Sequence, residues 1–291
     1  MFSGVYTALV TPFDRKGELD REKLKELVDF QIGEGISGLV PVGTTGESPT
    51  LSIKENIEVI DLVVKGSAGR KKVIAGTGSN CTSEALEMTK AAKDIGADAS
   101  LQVAPYYNKP TQEGLYRHFM TIADEVDLPL VVYNIQGRSG VNIETDTLMR
   151  LAKHPNIVAV KEASGNLGQM MDVISRKPED FALLSGDDNI AMPVTLMGGN
   201  GVISVASNLI PAQMEAMIGA ALKGDVETAR DMHYKLLPLF KAMFLETNPL
   251  PVKTAMAIMG KVEEIFRLPL CPSSGETKEK LKEVLKGQNL I

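Results

Sequence analysis

Residues 156–164 read NIVAVKEAS, in which four apolar and mostly β-branched residues run directly into a lysine. A short apolar run of this kind predicts a parallel β-strand that is covered on both faces. Seven further runs of similar length occur along the chain, at 5–10, 38–42, 72–75, 99–104, 128–135, 181–184 and 201–205. With the run at 157–160, the sequence therefore predicts eight strands, one of which ends in a long cationic side chain.

Helical segments separate these runs. Four of them begin after a side chain suited to cap a helix N-terminus, and their apolar residues recur at three- and four-residue spacing; the cap candidates are Asp20, Ser52, Thr82 and Thr111. Successive runs start about 20 to 34 residues apart, close to one strand–helix unit. Eight such units favour an α/β fold of the (β/α)8 TIM-barrel type. An open doubly wound sheet is less favoured, because the first strand runs into TPFDRKG and not into a GxGxxG turn.

About 85 residues follow the eighth run, and none of them has a strand pattern. Helical segments are predicted there at 211–223, 225–246, 249–260 and 278–286. The first would be the last helix of the barrel. We therefore expect residues 1–224 to form the barrel and residues 225–291 to form a C-terminal helical domain.

Composition and charge exclude several classes of function. The chain has 291 residues, 44% of them hydrophobic, and a net charge of −6 without a basic block, which argues against nucleic acid as a partner. No apolar run approaches the roughly 20 residues of a membrane span, and the opening segment does not resemble a signal peptide. Two distant cysteines fit a reducing cytoplasm, and three scattered histidines lack metal-ligand spacing. We expect a cytoplasmic protein with no membrane partner, no metal and no cofactor.

Polar residues collect where the predicted strands end. In a (β/α)8 barrel these carboxyl ends, with the loops that follow them, frame the open mouth of the fold. Lys161 ends the sixth strand, and Tyr133 ends the fifth at a matching depth. GTTGES at 43–48 follows the second strand, and GRSG at 137–140, which carries Arg138, follows the fifth.

A lysine at a strand end can point its amine into a cavity with apolar walls. Desolvation there would lower the pKa of the amine, and a neutral amine attacks a ketone to form a Schiff base. A phenol beside it, such as that of Tyr133, could transfer protons during this reaction. The alternatives are a lysine that reaches out to solvent or pairs with Glu162, and a tyrosine that is simply packed.

The two loops have features of anion-binding sites. GTTGES lacks the GK[ST] ending of a nucleotide-binding loop, but its glycines let the backbone N–H groups of Thr44 and Thr45 turn toward a carboxylate. Arg138 is the only cation of its loop and suits bidentate carboxylate binding, although a solvated surface arginine is the simpler interpretation.

Six motifs occur in order across nearly the whole chain: GTTGES, APYYNKP, VVYN with GRSG, AVKEASGN, LLSGDD and ETNPLPVK. Together they resemble the dihydrodipicolinate synthase (4-hydroxy-tetrahydrodipicolinate synthase) family. These enzymes are pyruvate-dependent class I aldolases and are related to N-acetylneuraminate lyase. The resemblance implies a lyase of lysine and diaminopimelate biosynthesis that condenses pyruvate with L-aspartate 4-semialdehyde through a Schiff base, without a cofactor.

The resemblance also implies roles for single residues. Lys161 would form the Schiff base, and Tyr133 would move protons in a relay with Thr44 and Tyr107. Tyr107 would reach into the site of a neighbouring subunit, within a tight dimer that usually pairs into a homotetramer. The substrate-binding residues implied are Thr45, Arg138, the backbone of Ile203, and Gly186.

The resemblance implies that Arg138 is the discriminating residue, because the related N-acetylneuraminate lyases lack an arginine there. The alternative function is that of another pyruvate-dependent class I aldolase, a lyase of N-acetylneuraminate or of a 2-keto-3-deoxy sugar acid. Two neighbours depart from the family pattern: Gln136 replaces a usual proline and Ser139 a common threonine. Without the proline ring at 136, we expect the loop that carries Arg138 to be less rigid. A barrel that binds pyruvate or lysine without turnover is a third hypothesis.

The resemblance extends in part to the lysine-feedback site of inhibited family members. Asn80, Glu84 and Tyr106 match that possible allosteric site, whereas Ile53 and Asn56 stand where bacterial members carry histidines. We therefore expect inhibition by lysine to be weak or absent.

Overall fold

A computed structural model describes residues 2–291 as a closed barrel of eight parallel strands that pair in chain order, β1 with β2 through to β8 with β1. The strands are β1 (Gly4–Ala8), β2 (Gly38–Val40), β3 (Lys72–Gly76), β4 (Ala99–Val103), β5 (Leu130–Asn134), β6 (Ile157–Glu162), β7 (Ala182–Ser185) and β8 (Gly201–Ser204). All eight predicted runs therefore contain a strand, with ends shifted by one or two residues. The prediction of a TIM barrel is confirmed.

Within residues 2–291, twelve α-helices surround and extend the barrel. They are α1 (Arg21–Gly33), α2 (Ile53–Ser67), α3 (Thr82–Ile95), α4 (Gln112–Glu125), α5 (Gln136–Ser139), α6 (Thr145–Leu151), α7 (Leu167–Arg176), α8 (Asp188–Leu196), α9 (Pro211–Leu222), α10 (Val226–Ala242), α11 (Leu250–Ile258) and α12 (Gly275–Gly287). The one-turn α5 lies in the loop between β5 and α6. In the described part of the chain, no helix has the length and apolarity needed to cross a membrane.

Three of the four predicted caps act as such. Asp20 and Thr111 accept hydrogen bonds from backbone N–H groups three residues ahead, and Ser52 forms a reciprocal capping box with Glu55. The prediction for Thr82 was wrong by one residue, because Cys81 is the N-cap and Thr82 is the first helical residue. The Thr82 hydroxyl is instead hydrogen-bonded to Nδ1 of His118, 2.9 Å away, on the neighbouring helix α4.

Two layers of apolar packing hold the barrel. Inward-facing side chains from the strands, among them Val40, Leu184 and Ile203, fill its interior. Outward-facing side chains pack against the helices. The helices beyond α9 share this outer core, since Phe240, Val252 and Leu281 belong to the same cluster as Val5 and Val202. The division of the chain at residue 224 stays a prediction.

The register of the sheet positions the residues at the mouth. Tyr133 on β5 lies directly beside Lys161 on β6, with Asn134 beside Glu162. Neighbouring residues in parallel strands point to the same face. The side chains of Tyr133 and Lys161 therefore point into the barrel, while those of Asn134 and Glu162 point toward the helices.

Candidate active site

Lys161 is enclosed at the mouth of the barrel. Its side chain is only 6% exposed, and Nζ lies 4.2 Å from the centre of the Tyr133 ring. It neither reaches solvent nor pairs with Glu162. That carboxylate lies on the other face of β6, where it accepts hydrogen bonds from Asn134 and from the backbone of Ser164.

The environment of Lys161 favours the neutral amine. Burial lowers its pKa from 10.5 to about 8, and the positive charge of Arg138 acts in the same direction. The carboxylates of Asp187 and Asp188 oppose this effect without cancelling it. At neutral pH, the fraction of the amine in the form that attacks a carbonyl carbon is therefore far larger than for an exposed lysine, although the protonated form still predominates.

Tyr133 faces this amine and is itself 5% exposed. Burial raises the pKa of its phenol, while Arg138 and a hydrogen bond with Thr44 act against that rise. The phenol therefore keeps its proton at neutral pH and can donate it, and Thr44 provides a hydroxyl through which the proton can be exchanged.

The loop after β2, which carries Thr44 and Thr45, is held in a strained conformation. Val42 and Glu47 have left-handed backbones with φ of 50° and 58°, which cost about 1–3 kcal/mol each for residues other than glycine. Glu47 is fixed by a fully buried ion pair with Lys253 of α11, at 2.6 Å. Burial lowers the pKa of Lys253 to about 8 and raises that of Glu47, so the two groups depend on each other for their charge.

Arg138 is fixed by the segment between α10 and α11. It lies on α5, and its Nη2 donates a hydrogen bond of 2.8 Å to the carbonyl oxygen of Asn248 and a longer one of 3.4 Å to Oγ1 of Thr247. Ser139, which replaces the common threonine, donates its hydroxyl to the carbonyl of Ile135 or Val141, both 2.9 Å away. The guanidinium group is thereby directed toward the cavity that contains Lys161.

Two cavities open at this end of the barrel. The smaller, of about 40 Å³, contains the Lys161 amine; among the residues that line it are Tyr133, Thr44, Thr45, Arg138, Gly186, Asp187, Phe244 and Asn248. The larger, of about 330 Å³, shares Thr44, Tyr133 and Arg138 with it but does not reach the lysine. The smaller cavity is the candidate active site, because it alone brings the amine, the phenol and the guanidinium group together.

Comparisons with known proteins agree with this geometry. The model of the dihydrodipicolinate synthetase family matches residues 1–288. This chain belongs to that family. The 4-hydroxy-tetrahydrodipicolinate synthase of Thermodesulfovibrio yellowstonii is 52% identical over 291 residues and is matched over the whole of both chains.

Solved structures of family members superpose closely on the chain. Dihydrodipicolinate synthase from Aquifex aeolicus is 50% identical, with a TM-score of 0.98 and 99% of both chains covered. The chloride-inhibited enzyme from Acinetobacter baumannii, solved in complex with pyruvate, is 43% identical, with a TM-score of 0.99 and both chains covered completely.

Two residues that the family resemblance implied do not line either cavity. Tyr107 is 90% exposed and has a left-handed backbone with φ of 73°, so within this one chain its side chain lies in solvent, outside the cavity that contains Lys161. Ile203 is buried, and its side chain packs in the barrel interior. The other predicted residues, Lys161, Tyr133, Thr44, Thr45, Arg138 and Gly186, come together.

Most of the residues compared with the family's lysine-feedback site lie at the larger cavity. Glu84 and Tyr106 line it together with Ile53 and Asn56. Asn80 does not line this cavity, but its side-chain amide donates a hydrogen bond of 3.2 Å to the carbonyl oxygen of Tyr106, which does.

Sequence reasoning missed two polar residues that line the active-site cavity, Asp187 and Asn248. Burial raises the pKa of Asp187 to about 6, and Lys161 acts against that rise. The signal for Asp187 was its place in SGDD after the seventh strand, and the signal for Asn248 was the motif ETNPLPVK, to which no role was given. No group of three or more His, Cys, Asp or Glu side chains within residues 2–291 is arranged to hold a metal ion.

Proposed function

We propose that this protein is a 4-hydroxy-tetrahydrodipicolinate synthase, a lyase that condenses pyruvate with L-aspartate 4-semialdehyde in the first committed step of lysine and diaminopimelate biosynthesis. The observation that carries the proposal is the enclosed Lys161 amine, with its lowered pKa, beside the Tyr133 phenol. The name borne by full-length relatives at about 50% identity supports the same activity.

The reaction begins at Lys161. Its neutral amine adds to the keto carbon of pyruvate, and the resulting carbinolamine loses water to give an imine. Loss of a proton from the methyl group then gives an enamine. Its carbon attacks the aldehyde, which forms the new carbon–carbon bond and restores the imine, and the aldehyde oxygen takes up a proton to become a hydroxyl group. The amino group of the second substrate attacks the imine carbon, closes the ring and releases Lys161.

Tyr133 serves the proton transfers of these steps. Its phenol donates a proton to the departing hydroxyl of the carbinolamine and recovers one through Thr44. Tyr107 of a neighbouring subunit would complete the relay with solvent, and its exposed, left-handed position is suited to reach across an interface.

The carboxylates of the two substrates bind on opposite sides of the amine. Thr45, with the backbone of Ile203 and the close approach that Gly186 permits, would hold the carboxylate of pyruvate. Arg138 would bind the carboxylate of the aldehyde as a fixed guanidinium group. We also propose that the protein acts in the cytoplasm as a homotetramer built from two tight dimers.

Reductive trapping tests the proposed function. Borohydride is added with pyruvate, and the peptide that gains mass is identified by mass spectrometry. We expect the adduct on Lys161 and none in Lys161→Met; an unmodified Lys161 would exclude every Schiff-base function. Turnover with L-aspartate 4-semialdehyde but not with N-acetylneuraminate then separates the synthase from the lyases. The reverse preference would refute the role given to Arg138.

A further inference from the structure

Asn248 connects the two anion-binding residues of the active site. It lies in the segment between α10 and α11, is 6% exposed and lines the cavity that contains Lys161. Its side-chain Nδ2 donates a hydrogen bond of 3.0 Å to Oγ1 of Thr45, and its backbone carbonyl accepts the hydrogen bond from Arg138 at 2.8 Å. One residue of the C-terminal segment therefore contacts residues from the loops after β2 and β5.

The direction of the bond to Thr45 determines what that hydroxyl can do. A hydroxyl group has one proton to donate and two lone pairs to accept with. Among residues 2–291, the hydrogen bond found for Oγ1 of Thr45 is the one that it accepts from Asn248. The hydroxyl proton of Thr45 is therefore free to be donated into the cavity, where an anion would receive it.

The other atom of the Asn248 amide also lacks a partner. Its Oδ1 is buried and accepts no hydrogen bond from any described residue. A buried acceptor without a partner costs about 1–3 kcal/mol, so a donor supplied by a bound molecule would relieve this cost. The imine N–H or hydroxyl group of a bound reaction intermediate is a donor of this kind.

The segment that carries Asn248 is itself firmly held. Lys253, five residues further along the chain, forms the buried ion pair with Glu47, which lies two residues after Thr45. The loop after β2 is therefore joined to the segment between α10 and α11 through Asn248 and to the adjoining helix α11 through Lys253, so the distance between Asn248 and Thr45 is fixed before a substrate binds.

We infer that Asn248 is a positioning residue for the keto acid: it holds the hydroxyl of Thr45 as a hydrogen-bond donor to the carboxylate of pyruvate. The inference rests on the proposed function. Substitution of the Asn248 side chain should affect binding of the second substrate less, because Arg138 contacts the backbone carbonyl of Asn248, which the substitution leaves in place.

Two substitutions separate this role from a merely structural one. Asn248→Ala removes the amide group that donates to the Thr45 hydroxyl. We expect the KM for pyruvate to rise about tenfold, which corresponds to the loss of one hydrogen bond to a charged group, and kcat to change less. Asn248→Asp keeps the size of the side chain but reverses the hydrogen bond, since a carboxylate only accepts. The Thr45 proton is then drawn away from the substrate, and we expect a larger rise, of about a hundredfold.

A double-mutant cycle identifies the partner. In a Thr45→Val background, Asn248→Ala should raise the KM for pyruvate no further, because both changes remove the same interaction. Asn156→Ala is the matched control: that amide donates one hydrogen bond, to the carbonyl of Ala123 at 3.2 Å, at the opposite end of the barrel. The control should leave both KM values unchanged.

The outcomes distinguish the inference from the function on which it rests. A wild-type protein that traps no pyruvate refutes the proposed function. A wild-type protein that traps pyruvate, together with an Asn248→Asp variant whose pyruvate KM stays within about twofold of wild type, refutes the role of Asn248 alone. Equal rises in both KM values with a lowered melting temperature, or additive effects in the cycle, would assign Asn248 a structural role and also overturn the inference.

Discussion

The pH dependence of imine formation is the most direct test of the chemistry assigned to Lys161. Burial lowers the pKa of this amine from 10.5 to about 8. At pH 7 a group with that pKa is about 10% neutral, whereas an ordinary lysine is about 0.03% neutral, so enclosure increases the reactive fraction roughly 300-fold. The observed rate with pyruvate should therefore rise about tenfold per pH unit below pH 7, rise about fivefold between pH 7 and pH 8, and level off above about pH 9.

Removing the negative charge of Asp187 tests whether this carboxylate affects the pKa of the Lys161 amine. The carboxylate of Asp187 raises the pKa of Lys161, and its own pKa of about 6 leaves it mostly ionised at pH 7. Asp187→Asn removes that charge, so the pKa of Lys161 should fall further and imine formation at pH 7 should become faster, with the plateau starting at lower pH. Asp180→Asn is the control, because Asp180 is exposed and lies just before the other end of β7.

The assay measures the initial rate of adduct formation at subsaturating pyruvate. Samples are quenched with borohydride at intervals, and the modified fraction is read by intact-protein mass spectrometry between pH 6 and pH 10. A rate that keeps rising tenfold per unit beyond pH 9 would mean that Lys161 titrates as an ordinary lysine. An Asp187→Asn profile identical to wild type would show that this carboxylate does not act on the amine.

Three other perturbations address the walls of the two cavities. Arg138→Ala should lower kcat/KM for the aldehyde about 10- to 100-fold while pyruvate trapping persists, and equal loss of both steps would contradict the role of the guanidinium group. Gly186→Ala should slow trapping, because a Cβ there would lie 2.5 Å from the Ala163 side chain and 3.2 Å from Cε of Lys161; unchanged trapping would show that the cavity adapts. Millimolar L-lysine should inhibit the wild type weakly or not at all in steady-state assays, and it should inhibit the double variant Ile53→His, Asn56→His more strongly. Strong inhibition of the wild type would disprove this expectation.

Local patterns in the sequence were sufficient for the fold and for the central pair of the site. The eight apolar runs and the capping side chains Asp20, Ser52 and Thr111 are short-range signals, each set by a few consecutive residues. Since strands of a barrel pair in chain order and their carboxyl ends meet at one mouth, the ends of two successive strands placed Tyr133 beside Lys161.

The remainder of the site depends on contacts between distant parts of the chain. The bond from Asn248 to Thr45 spans 203 positions, and the ion pair of Lys253 with Glu47 spans 206. Neither pair has a spacing that a periodic pattern could reveal. The tertiary structure alone decided which cavity encloses the Lys161 amine and how far burial lowers its pKa, because desolvation is produced by all the neighbours that exclude water and not by the residues adjacent in sequence.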